Sequence, residues 1–274
     1  MMEFLNWEWL VLLLCLPVLG HVLYGIPPDP REGNEGPVTL YNGDGFSLQD
    51  EAPRPERMLR VRAVSDAGVT ALAVSGTRQT GVLVDATAVK ERPCWVVVET
   101  EPTLIELEGG KFQGYLSHEG LNEVIERRIA TGCQGEPGRE IYSKYVKVAL
   151  NSHDGSLRLR TEPVDLPVEI VPLSAEELEV GMRLPLRVLV AGEPGGGLQV
   201  RVSHREADAA EPSDDVLYRT DEDGKASIAI DKAGIWRVHT IAMAEAPAEE
   251  PADWESLWAG LTFRVSKAER ATRG

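Results

Sequence analysis

Short apolar segments that alternate with polar residues and stop at Gly, Pro or Asp recur along the whole chain. This rhythm suits many strands joined by tight turns better than long helices. Leu59, Val61 and Ala63 alternate with Arg60, Arg62 and Val64, and Leu198, Val200 and Val202 alternate with Gln199, Arg201 and Ser203. A period of two puts one set on a core and leaves the other largely wet. The 26 Gly and 18 Pro supply the punctuation, and 274 residues is long for one core, so two domains are expected. Strands are predicted near 38–41, 58–64, 70–74, 81–84 and 94–99. Pro163 to Pro172 reads as a linker and the first strand of a second domain. Segments 183–190, 197–204, 216–220, 225–231, 234–243 and 260–266 follow, spaced like a seven-stranded sandwich. Between 111 and 150 the period changes to three and four: Phe112, Tyr115 and Leu116, then Leu121, Val124, Ile125, Arg128 and Ile129, with Gly120 and Gly132 marking helix ends. Tyr142, Tyr145, Val146 and Ala149 continue it. The expectation is a mainly β protein, with an N-terminal sandwich over 21–162 carrying a helical segment at 111–150, a C-terminal sandwich over 163–266 and a tail at 267–274.

From Trp9 to Ile26 no residue carries a formal charge, and the apolar run has the length of a secretory signal core. Val18 and Gly20 would occupy the third and first positions before a cut, making 1–20 a signal peptide and His21 the mature N-terminus. Residues 1–8 lack Lys and Arg and contain Glu3 and Glu8, unlike an ordinary signal. An uncleaved anchor of about 18 residues and a buried helix are the alternatives. Signal or anchor would place the chain in the periplasm or cell envelope, touching the membrane only through an uncleaved N-terminal segment. Cys15 would leave with a signal; Cys94 and Cys133 could then close one disulfide or remain two free buried thiols. The charge balance, 28 basic against 44 acidic residues for a net of −16, argues against nucleic acid or anionic lipid as partner.

The sequence contains no GxSxG elbow, P-loop, HExxH or GxGxxG, so no enzyme is expected. Gly195-Gly196-Gly197 reads as a hairpin loop. Thr220 to Gly224 starts like a calcium loop, but Lys232 stands where the closing carboxylate belongs, so Asp223-Gly224 is read as a hairpin turn. Trp236, Trp254 and Trp258 can form a core cluster or a flat binding surface, the core being favoured. A cleaved His21 would offer imidazole and α-amine together, a pair suited to nickel or copper. His239 is the preferred third ligand, with Met243 four residues on along the same strand face. His118, beside Glu119 at a helix break, reads as a solvated cap, and His153 and His204 as turn and strand-surface residues.

Several stretches together resemble a known family. They are Ile105 to Leu107, Lys111-Phe112, Tyr115-Leu116 and Glu119-Gly120-Leu121, then Glu136 to Glu140, Tyr142-Ser143-Lys144-Tyr145 and Lys147. Thr220-Asp221, Asp223-Gly224, Gly234 with Trp236, His239 with Met243, and Trp254 with Trp258 before Leu261-Thr262-Phe263 follow in the same order. The pattern is similar to a widespread family of exported bacterial proteins that is classed as a domain of unknown function and grouped with NikM-type nickel-uptake components. It runs from about His21 to Val265. The resemblance implies an extracytoplasmic protein of two immunoglobulin-like β-sandwiches, linked to nickel or cobalt and to an envelope transport component. It also implies an N-terminal His followed by an aromatic, matched here by His21 and Tyr24, with Tyr in place of the usual Trp. The rival expectation is a structural or adhesive module that binds a protein or polysaccharide.

Overall fold

A computed structural model describes residues 21–29, 36–44, 46–47, 52–78, 80–89, 94–150, 157–206, 209 and 212–266. The signal or anchor at 1–20, with Cys15, the turn carrying His153 and the tail at 267–274 lie outside the described residues. In the first half the strands are β1 (Leu23–Ile26), β2 (Val38–Asn42), β3 (Met58–Ser65), β4 (Gly68–Ala71), β5 (Ala73–Arg78), β6 (Gly81–Asp85), β7 (Cys94–Thr100) and β8 (Thr103–Leu107). Helices α1 (Gly109–Glu119) and α2 (Asn122–Ala130) follow, then β9 (Gly138–Leu150). The second half contributes β10 (Val168–Pro172), β11 (Arg183–Val190), β12 (Glu193–Pro194), β13 (Gln199–Arg205), β14 (Val216–Arg219), β15 (Lys225–Ala229), β16 (Gly234–Glu245) and β17 (Trp254–Val265). The protein is mainly β, arranged in several sheets.

The largest sheet has the order β14-β13-β16-β17-β9-β7-β3-β4, with β8 continuing beside β9. Strands from both sides of residue 163 meet in it. All neighbours are antiparallel except β17 and β9, which run parallel from Trp254 opposite Glu140 to Thr262 opposite Val148. One face packs on the sheet of β10, β11, β12 and β15 through Val200, Val202, Val238, Leu261 and Phe263 against Ile170, Leu184, Leu186 and Val188. The other face meets the small sheet β1-β2-β6-β5, where Val96, Val98, Val146 and Val148 pack on Leu23, Val38, Leu40 and Val84. Further along that second face the two helices bring Phe112, Tyr115, Leu116 and Val124 onto Ile241, Trp254 and Trp258. The three tryptophans are all buried, as core residues.

The two predicted helices are present, and the stripe is buried from Phe112 to Val124 and at Arg128, while Ile129 is exposed; Gly120 ends α1 in the left-handed region at φ 68°. The predicted continuation through Tyr142 to Ala149 is not: 138–150 is the strand β9. Because β9 is covered on both faces, Val146, Val148, Ala149 and Leu150 are all buried and no alternation survives to reveal a strand. The 70–74 segment divides between β4 and β5, and the last strand starts six residues earlier than predicted, at Trp254. Asp221 to Lys225 is a turn as expected, with Gly224 at φ 72°, but it carries the chain from β14 in the large sheet to β15 in another, so it is not a hairpin. Both Cys94 and Cys133 are free thiols. Cys94 lies opposite Leu150 at one end of β9, while Cys133 precedes its other end at Gly138. Twelve strand steps span about 40 Å, and five further residues recover at most ~18 Å. That leaves the thiols far beyond disulfide reach.

Candidate functional site

The face of the large sheet that meets β1 and the helices carries a buried polar layer. Register sets Arg201 opposite His239, Ser203 opposite Arg237, and His239 opposite Gly260 on the next strand. The alternation of β13 predicts a wet face here, yet Arg201 and Ser203 are buried, and so is Arg237 beside them on β16. The reason is distant in sequence. Arg201 donates to the His118 carbonyl at the end of α1, and Arg237 donates to the Asp44 carbonyl at 3.0 Å and to Ser203 Oγ at 2.9 Å. The Phe46 ring covers the Arg237 guanidinium at 4.9 Å.

His239 is 2% exposed. Its Nε2 lies 3.1 Å from Glu119 Oε2, and Arg201 Nε lies 3.8 Å from the same oxygen. Burial lowers the His239 pKa against the opposing pull of Glu119, so the ring is neutral at neutral pH. Nε2–H then donates to the carboxylate, and among the described residues Nδ1 has no hydrogen-bond partner. Burial alone would raise the Glu119 pKa; the bond from His239 and the positive groups around it outweigh burial and lower it.

His21 precedes β1, and its carbonyl accepts from Lys144 Nζ. Burial raises the Asp44 pKa, with His21 the foremost group pulling it down and Glu119 and His118 also in electrostatic reach. Met243 shares a face with His239, but Ile241 lies between them and four strand residues separate them by ~13 Å. Met243 packs instead with the helix cluster that contains Phe112 and Trp254. His21, His239 and Met243 are therefore not brought together as one ligand set. Among the described residues no group of three or more His, Cys, Asp or Glu is placed to hold a metal ion. The donor chemistry around His239 also opposes a cation, since Arg201 and Arg237 both press positive charge on its ring. His118 lies half exposed in the last turn of α1, where Gly120 is the cap, with Nε2 3.7 Å from Glu119 Oε1. His204 is buried rather than on the surface, with its ring 4.7 Å from that of Trp236.

The same face of the sheet, over β9 and β17, opens into a cavity of about 460 Å³. The parallel register places Lys144 opposite Trp258 and Tyr142 opposite Ser256, and these strands form its floor. Tyr115, from α1, stacks on Trp258 with centroids 6.0 Å apart and planes within 2°. The stack is held from beneath by Glu140, which accepts from Tyr115 Oη at 3.1 Å and from Ser256 Oγ, while Trp258 Nε1 donates to Ser256 Oγ at 2.9 Å. Burial raises the pKa of Glu140 against these donors. Lys144 is 8% exposed. Its Nζ donates to the His21 carbonyl and to Asn42 Oδ1 at 2.9 Å, and lies 5.2 Å from the Tyr142 ring centroid and 5.7 Å from that of Trp258. Burial pulls its pKa down to about 8, opposed by Asp44 and Glu140 and assisted by Arg57. Arg54 and Arg57 stand at the rim, where Arg57 donates to Thr103 Oγ1 at 2.7 Å.

Sequence reasoning did not single out Lys144, Tyr142 or Arg57 as site residues. Tyr142 and Lys144 lie two apart and share a strand face, but the helical reading of 142–149 separated them. Arg57 reaches the site only through folding and carries no local signal. A family model described as "Domain of unknown function (DUF4198)" matches residues 18–244. A search of curated proteins finds no match.

Proposed function

Since the chain belongs to the family of domains of unknown function DUF4198, whose description carries no activity, we propose from its geometry that it is a non-catalytic binding protein of the cell envelope. Its ligand enters the cavity between β1, β8, α1 and the floor of β9 and β17. The observation that carries this reading is the cavity itself: about 460 Å³, walled by Tyr115, Tyr142 and Trp258, with a few convergent polar groups led by Lys144. That size and mixture are those of small-molecule sites. The Glu140 network beneath is directed to holding the aromatic wall in place, which is what a preorganised binding site requires. Export through the N-terminal segment and an immunoglobulin-like character of the sandwiched halves belong to the same proposal.

The test is a thermal-shift screen of small metabolites on the full chain, repeated with Leu104→Trp. Leu104 lines the cavity and is half exposed at its mouth, so the larger ring should plug the opening without unfolding the protein. A ligand at a hundred times its Kd stabilises the native state by about 2.7 kcal/mol. Hits that raise the Tm of the parent chain and not of the plugged variant support the reading; hits that act equally on both overturn it.

Nickel or cobalt binding is the second reading, favoured by the electrostatic reach of His21 to the Asp44 carboxylate. It would rest on the amine and imidazole of a mature His21 and not on His239 with Met243. Intact mass and metal content of protein from the envelope of its own host decide it. A mass beginning at His21 with stoichiometric metal, lost in His21→Ala, supports it; a metal-free chain sinks it.

A further inference from the structure

The chain carries 44 acidic against 28 basic residues, yet among the described residues no Asp or Glu lines the cavity, whereas Lys144, Arg54, Arg57 and His21 all do. A random patch of this surface would be negative, so three cationic side chains on the described lining, with Asp44 and Glu140 acting on Lys144 from behind it, are a local inversion of the surface charge. The Lys144 ammonium has three donors. Two go to the His21 carbonyl and Asn42 Oδ1, and among the described residues none of its hydrogen bonds uses the third. The second large recess, by contrast, brings its own counter-charges: Arg127 pairs with Glu245 and Arg139 with Asp253.

We propose that the cavity takes a small organic carboxylate with a flat apolar body, the carboxylate meeting Lys144 and Arg57 and the body lying against Tyr142 and Trp258. This rests on the binding reading above and adds the charge and shape of the ligand to it. Lys144 accounts for the sign. A cation would meet an ammonium already seated over both rings, and a neutral amide would leave the third ammonium donor without its charged partner. The aromatic wall accounts for the body, because planar groups stack on Trp and Tyr faces at little conformational cost. Arg57, half-buried and bonded to Thr103 through one nitrogen, has further donors to offer a second carboxylate oxygen.

Titration calorimetry on the full chain at pH 6.5 with 3-phenylpropionate, 3-phenylpropanamide and 3-phenylpropylamine tests it, since the three share a body and differ in charge. The expected result is carboxylate affinity at least tenfold above the amide, with no measurable binding of the amine. Lys144→Gln should abolish that preference. Should Lys144→Gln fail to fold, Arg57→Gln should reduce the preference several-fold in a chain with unchanged circular dichroism. Equal binding of all three compounds overturns the assignment of charge and leaves the cavity as a binding site. Absence of binding by all three, with no change in tryptophan fluorescence, overturns both.

Discussion

Lys144 is a charged group held in a place that penalises its charge. Its folded-state pKa of about 8 lies below the 10.5 of an ordinary lysine, mainly through burial. Between those two values the unfolded chain holds a proton that the native state has released, so stability rises with pH across that window and the penalty is full below pH 8. The whole effect is on the order of 3 kcal/mol. Urea unfolding at pH 7.5 and pH 10 should show the parent gaining stability relative to Lys144→Met by that order. The same proton governs the ligand: 3-phenylpropionate affinity should fall as pH passes 8, approaching tenfold per unit. At Gly109 the issue is space. A Cβ there would overlap the Gly135 backbone carbonyl, whereas one at Gly110 would meet nothing within 4 Å. Gly109→Ala should cost about 1–3 kcal/mol in urea unfolding, and Gly110→Ala should not destabilise the protein, as a first-turn helix position prefers Ala.

Strand β9 joins the layers. On the face away from the cavity, Lys147 Nζ reaches Glu169 Oε1 of β10 at 2.6 Å, and both side chains are 1% exposed. Glu169 also accepts from the Val164 backbone, and the Trp95 ring lies 4.9 Å from Lys147 Nζ. Removing one partner strands the other charge, so Lys147→Met alone should cost about 3–5 kcal/mol, and the double variant with Glu169→Leu should recover most of it. Chemical unfolding of the pair measures this. This strand also marks the limit of sequence legibility. The half-exposed strands, such as β3 and β11, were readable from period and punctuation, and so was most of the stripe of α1 and α2. In β9, Tyr142, Tyr145, Val146 and Ala149 happen to fall three and four apart, and burial on both faces removes the alternation that would have corrected the reading. The site was less legible than the fold. His239, read from its strand position as a metal ligand beside Met243, has its ring against Glu119, 120 positions away, and Lys144 acquires meaning only when β17 lies beside it.

At the scale of the molecule, positive charge gathers inside. Arg128, Lys144, Lys147, Arg201, Arg205, Arg237 and Arg264 are buried, against Glu99, Glu119, Glu140 and Glu169, in a chain of net charge −16. The outer surface is correspondingly acidic, and the cavity is one of the places where interior cations reach solvent. The thiols play no part in holding the layers. Cys94 is buried with its pKa raised to about 12, and Cys133 sits near the opposite end of β9. Thermal unfolding with and without reductant should coincide, and Cys133→Ser should leave the Tm unchanged; a reductant-dependent drop would mean a bridge that this fold cannot span. The parallel pairing of β9 with β17 has one more consequence, in time. Residue 140 waits for residue 254 before its outer edge is covered. Until the last strand emerges, β9 offers a row of open amides and carbonyls to any extended chain nearby. A contact of such long range is slow to form. The interval between emergence of β9 and arrival of β17 is therefore when this chain has the greatest need of a chaperone.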